Sequence, residues 1–253
     1  MRVLCGFLFL LLVPGLCAQG IEDVIVETYA VAPGRNGSPD TTTYRIYLDL
    51  APGHRLQRVY GDERHQLLMG SDADFVNDTV SGGKFADELD PGILKDGKAA
   101  RDTWLTIGRA SMVHAGVPRA LDPDGSILTC PPYPPHDRSP AHAGAPSLCT
   151  VDGLVPDTVR NDIVDFRFAS GYLHRVRGSL LETTDGAWAA LGGYRGATEE
   201  NIVLIAQVTT TGRLYFRLNA QVADAEGTPV KHVWAAPSGS EVLCPQLSRG
   251  KVR

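Results

Sequence analysis

The feature that most constrains this chain is a two-residue alternation of apolar and polar side chains. In Tyr44-Arg45-Ile46-Tyr47-Leu48-Asp49-Leu50, Tyr44, Ile46, Leu48 and Leu50 fall on one face and Arg45, Tyr47 and Asp49 on the other. Residues 214–222 repeat it, with Leu214, Phe216, Leu218, Ala220 and Val222 against Tyr215, Arg217, Asn219 and Gln221. Successive side chains of a strand point to opposite faces, so this period predicts antiparallel sheet with one face covered and one solvated. Ile202-Val203-Leu204-Ile205-Ala206 is apolar on both faces, which places it centrally or beneath a covering loop. Shorter strand candidates are 24–31, 55–60, 66–69, 102–108, 162–168, 179–183, 187–191 and 230–235. Turn signals separate them, and Asp185-Gly186 and Thr211-Gly212 read as tight hairpin tips. The 27 Gly and 17 Pro agree with many turns and few long helices. About ten short strands at this spacing predict an all-β fold, an antiparallel β-sandwich of jelly-roll type.

Two stretches resist the alternation. Residues 82–100 are polar and Gly-rich and have room for a helical turn or two. Residues 116–160 hold most of the prolines and read as a long surface excursion. Nothing marks a linker, so residues 20–247 read as one β-sandwich domain, followed by a tail at 248–253.

The N-terminus predicts export. Met1-Arg2 is a positive n-region, Val3 to Val13 are an apolar core, and Leu16-Cys17-Ala18 offers a cleavage site, so 1–19 read as a signal peptide. The apolar run is far short of the roughly 20 residues needed to span a bilayer. A retained anchor and a lipoprotein on Cys17 are the alternatives, the second weakened by Leu16 where a lipobox wants a small residue. The expected location is secreted, periplasmic or extracellular. Cys130, Cys149 and Cys244 then remain, and a Cys130–Cys149 disulfide would close the Pro-rich excursion, with pairings to Cys244 as alternatives. The formal net charge of −5 lacks the basic face of a nucleic-acid binder.

Three segments also resemble a known group. Thr43 to Leu50, Arg55-Leu56-Gln57-Arg58-Val59-Tyr60-Gly61 and Asp102-Thr103-Trp104-Leu105-Thr106-Ile107-Gly108 occur in this order, followed by Asp185 to Ala189 and Val203 to Thr210. In these the chain resembles a family of uncharacterised secreted bacterial β-rich proteins, whose members often carry C-terminal sorting or anchoring modules. The resemblance implies export and a β-rich build but no reaction.

Candidate chemistry is sparse. Asp72, Asp74, Asn77 and Asp78 form a dense oxygen-ligand run that could hold calcium, although the spacing is not that of an EF-hand, and a solvated acidic loop looks the same. The seven histidines show no His-x-His or His-x-x-x-His pair, and no Gly-x-Ser-x-Gly elbow is present. Glu27, Asp49, Asp165 and Glu182 lie in or beside strands, where two facing carboxylates could serve glycoside hydrolysis. Tyr47 and Tyr215 occupy polar strand faces, and with Trp104 or Trp188 they could form a sugar-stacking row, although a Trp in apolar strand context is usually a core anchor. No catalytic residue is assigned. The expected function is a secreted, non-catalytic binding or structural module, with an extracellular polysaccharide or cell-surface component as partner. The alternatives are a jelly-roll carbohydrate-active enzyme or carbohydrate-binding domain, and a calcium-stabilised adhesion module.

Overall fold

The computed structural model describes residues 20–34, 36–80, 82–92, 94, 99–122, 152–157, 162–167 and 178–252. The signal-peptide expectation for 1–19 and the Cys130–Cys149 pairing lie outside these residues. The described chain is all-β. Its strands pair antiparallel apart from one parallel pairing at the C-terminal edge, and an isolated bridge between Phe85 and Leu105 is also parallel.

The first sheet runs in the order β1 (Ile21–Ala32), β2 (Thr41–Leu50), β11 (Ile202–Thr210), β5 (Trp104–Leu105). A six-stranded sheet runs β15 (Val242–Leu243), β14 (Pro229–Val233), β13 (Asn219–Ala223), β3 (Arg55–Tyr60), β10 (Ala187–Tyr194), β8 (Ile163–Phe166). A four-stranded sheet runs β16 (Ser248–Val252), β12 (Leu214–Arg217), β4 (Leu67–Ser71), β9 (Leu180–Thr183). These last two share three chain segments. In residues 55–71, 180–194 and 214–223 one half pairs in one sheet and the other half in the next. The ladder breaks at the same level in each: at 61–66, at 184–186 and at Leu218. Together they form one long sheet bent sharply across its middle.

Two predicted hairpin tips are corrected by this arrangement. Asp185-Gly186 links β9 to β10, and Thr211-Gly212 links β11 to β12, so each passes the chain between sheets instead of closing a hairpin. Glu226-Gly227 does cap a true hairpin, β13 with β14. The tail at 248–253 is also revised. Ser248–Val252 is an edge strand on β12, and Leu247 accepts a hydrogen bond at 2.8 Å from the N–H of Leu218, the residue at the bend.

The main core lies between the first sheet and the bent one. Tyr44, Ile46, Leu48 and Leu50 of β2 and Val203, Ile205, Ala206 and Val208 of β11 meet Leu56, Val59, Trp188, Leu214, Phe216, Leu218, Ala220 and Val222. The 214–222 alternation holds through the broken ladder, because burial of Leu218 keeps the period even where its backbone pairs elsewhere. Each fully buried aliphatic side chain contributes about 1.5–3 kcal/mol. Trp188 is completely buried, with its indole N–H donating to the Thr106 carbonyl at 2.8 Å.

The polar face of the first sheet, expected to be solvated, is covered. A second apolar cluster of Tyr47, Ala86, Leu89, Leu94, Trp104, Ala110, Leu154, Ile202 and Leu204 lies on that side. Tyr47, Trp104, Ile202 and Leu204 come from expected strands, whereas Ala86, Leu89, Leu94 and Leu154 come from segments expected to be loops. The 82–100 region supplies single 3₁₀ turns at Ala86–Glu88 and Ala99–Arg101. The two ends of the 116–160 excursion are clasped by β6 (His114–Gly116) paired with β7 (Leu154–Pro156). All nine residues of β11 are therefore buried. A register shift between Leu204 and Ala206 inserts one residue, so that Ile205 and Ala206 both serve the main core. The continuous apolar run is the record of two cores and one bulge.

Candidate functional site

The strands' polar residues fall into three settings. The first is the covered face itself. Arg45, directly opposite Gln207 in the ladder, donates to Gln207 Oε1 at 3.1 Å and to the carbonyls of Asp152 and Gly153 at 3.3 and 3.4 Å. Its guanidinium stacks on Tyr29. Thr209 and Thr43, also opposite one another, bond at 2.9 Å. The Tyr47 hydroxyl is shared between Glu27 Oε2 at 3.2 Å and the Val117 carbonyl at 3.0 Å, and burial raises it well above the ordinary phenol range. Nearby, Ser111 Oγ lies 2.9 Å from His114 Nδ1, but it also accepts the N–H groups of Val113 and His114 and so closes their turn. Burial holds His114 below the usual imidazole value.

The second setting is a half-open cleft of about 830 Å³ between the β1–β2 hairpin and the β11–β12 turn. Asp40, Thr42, Tyr44, Asp72, Thr211 and Arg213 are among its lining residues. Asp72 is held there by Arg213 Nε at 2.7 Å on one oxygen and by Lys251 Nζ at 2.5 Å on the other. The bonds from Lys251 and then Arg213 keep its carboxyl below the usual range. The cleft thus offers hydroxyls, acids and a guanidinium at one surface.

The third setting is the bend. Between β3 and β4 the chain leaves the ladder, and Asp62 and His65 exchange backbone hydrogen bonds at 3.1 and 3.2 Å. Asn219 fastens this excursion by donating to the carbonyls of Tyr60 at 3.1 Å and His65 at 2.8 Å. Glu241, in the turn after β14, accepts from the N–H and Oγ of Ser238 at 2.8 and 3.0 Å. The result is that one ring nitrogen of His65, one oxygen of Asp62 and one of Glu241 lie within 4.8 Å of each other.

The residues singled out from the sequence are scattered. Tyr47, Trp104 and Trp188 are at most 1% exposed, so the expected stacking row does not form; each ring is consumed by one of the two cores. Tyr215 is half-buried at the bent sheet's far side, with Lys251 Nζ 5.9 Å from its ring. The acidic run does not converge either. Asp72 is exposed and ion-paired, Asp74 is exposed, Asn77 is half-buried, and Asp78 is buried with its N–H donating to Asp102. The strand carboxylates are also apart. Glu182 meets Gln66 on the four-stranded sheet, and Asp165 is ion-paired to Lys84 at 2.7 Å. Glu27 is opposite Arg45, four residues from Asp49 along β2, which is roughly 13 Å at strand rise and beyond the span of a carboxylate pair.

The Asp62–His65–Glu241 group was missed by sequence reading. Its local part is only Asp62-Glu63-Arg64-His65, and Glu241 enters from the far end of the chain through the β14–β15 connection. The one usable signal is an acid and a histidine three apart in a turn that interrupts a strand.

Fold and site together define an all-β, sandwich-like protein with a doubly covered sheet, a polar cleft at one end and an acid–histidine cluster at its bend. Comparison with protein-family models, with curated proteins and with solved structures finds no match to the chain.

Proposed function

We propose that this chain is an exported, non-catalytic binding module that takes a hydroxyl-rich ligand, of the polysaccharide class, in the cleft between the β1–β2 hairpin and the β11–β12 turn. The observation that carries this reading is the chemistry of the cleft. Thr42, Thr211, Asp40 and Arg213 line an opening about 830 Å³ in volume, a size suited to a few sugar rings. Arg213 is already ordered by Asp72, so its guanidinium reaches a ligand hydroxyl with little added loss of side-chain freedom. Export rests on the charged, apolar and small-residue pattern of 1–19. The carbohydrate partner thereby moves from an aromatic platform, whose rings are buried, to a hydrogen-bonding cleft.

Affinity electrophoresis against a panel of neutral and acidic polysaccharides tests the reading. The native chain is expected to be retarded by at least one of them. Retardation should be lost in Thr42→Ala combined with Arg213→Ala and kept in Leu191→Ala, which changes a distant exposed residue. No retardation by any polysaccharide, or retardation indifferent to the cleft double variant, overturns it.

A further inference from the structure

Independently of the cleft, we propose that Asp62, His65 and Glu241 form a binding site for a divalent ion of the zinc class, which clamps the β3–β4 excursion to the turn after β14. The argument starts from His65, which is 3% exposed. Its Nε2 lies 3.1 Å from the Ala236 carbonyl, which can only accept, so Nε2 carries the N–H. Nδ1 then presents a lone pair. It is buried without a hydrogen-bond partner, and the nearest charged atom is Asp62 Oδ1 at 3.4 Å. A neutral Nδ1 and Asp62 Oδ1 are both acceptors, so their contact is favourable only with positive charge between them, either a proton on the ring or a bound cation. A backbone carbonyl that fixes the tautomer from behind is the arrangement found behind metal-bound imidazoles.

The spacing suits a small tetrahedral ion. Ligands about 2.0–2.1 Å from zinc at tetrahedral angles are roughly 3.3 Å from one another. The Nδ1–Oδ1 separation of 3.4 Å is close to that edge length. Glu241 Oε2 lies nearest the other ring nitrogen, 3.8 Å from Nε2, and the three ligand atoms span at most 4.8 Å, so Glu241 completes the set by a small swing toward Nδ1; the two carboxylates balance the charge of a divalent ion. One imidazole with two carboxylates is a borderline donor set, which favours zinc over calcium's six to eight oxygens. The Tyr60 hydroxyl, two residues before Asp62, is also buried without a hydrogen-bond partner. Lys231 Nζ, 3.7 Å from the outer oxygen of Asp62, limits the site to one ion by its own charge.

Isothermal titration of the purified full chain, stripped with chelator, with zinc chloride near neutral pH tests this. One zinc per chain is expected, with affinity in the micromolar range or tighter and a raised Tm in zinc. Asp62→Asn and Glu241→Gln, which keep shape and the Ser238 bonds, should each weaken binding at least about tenfold. His54→Asn, outside the cluster, should leave it unchanged. Circular dichroism of each variant without metal separates loss of ligand from loss of fold. In cobalt-loaded protein the visible absorption bands should shift in Asp62→Asn. No saturable binding by the folded chain at millimolar zinc overturns the proposal, as does binding equally strong in both carboxylate variants.

Discussion

The Arg45 guanidinium lies 3.6 Å from the ring centroid of Tyr29, and both side chains are at most 3% exposed. A buried cation is costly unless its donors are occupied and its charge is met by polarisable neighbours. Here Gln207, two loop carbonyls and an aromatic face do this, and in doing so they fasten the 152–153 segment onto the first sheet. Removing the guanidinium strands those acceptors. Arg45→Met is therefore expected to lower stability by about 2–4 kcal/mol, whereas Arg64→Met, at an exposed position of the 62–65 turn, changes it by less than about 0.5 kcal/mol. Urea denaturation of the two variants checks the difference.

Asp102 gives the fold a pH dependence of definite sign. Burial pushes its carboxyl up to about 7, opposed by N–H donors from Asp78, Thr103 and Gly83 and reinforced by the charge of Asp78. Its folded value is above its unfolded one, so its stabilising contribution is fully present below about pH 4 and is lost as pH rises through about 7. The slope in that window is at most about 1.4 kcal/mol per pH unit. Asp102→Asn removes it. The difference in unfolding free energy between the native chain and this variant should fall from pH 4 to pH 7 and flatten above, since the opposite contribution of His114 is common to both proteins and cancels.

Gly108 and Gly192 share a left-handed backbone, at φ +82° and +81°, but differ in surroundings. A Cβ on Gly108 would meet the Tyr194 ring at 2.0 Å, while one on Gly192 meets nothing. Gly192→Ala should cost about 1 kcal/mol, the backbone penalty alone. Gly108→Ala adds displacement of Tyr194, whose hydroxyl reaches Asp157 at 3.4 Å beside the buried Arg109–Asp157 ion pair. That variant should be the less stable by at least about 2 kcal/mol, read as a lower denaturation midpoint.

How far the sequence could be read depended on whether a residue's role was local. β3 occupies 55–60 as expected, because alternation and flanking turns are properties of neighbours. β11 was legible as doubly buried from its unbroken apolar run. Arg45 and Tyr47 were not, since a polar residue on an alternating strand looks the same whether water or a second layer faces it. What covers them comes from 86–122 and 152–154, segments whose apolar residues are too sparse to show a period. Ser248-Arg249-Gly250-Lys251-Val252 is nearly all polar, yet it pairs as an edge strand, where backbone bonding outweighs side-chain pattern. The cluster at the bend is a meeting of distant turns, and no window of sequence contains it.

The polar side of the first sheet is interior, with its polar side chains occupied in holding a second layer. Hydroxyl-radical footprinting of the native chain, resolved by mass spectrometry, tests this most directly. Tyr47, Trp104 and Trp188 should stay unmodified under conditions that label Tyr215 and Met112, the latter 47% exposed. Labelling of Tyr47 and Trp104 at the rate of Tyr215 would contradict the account, because the aromatic rings would then stand on a solvated face.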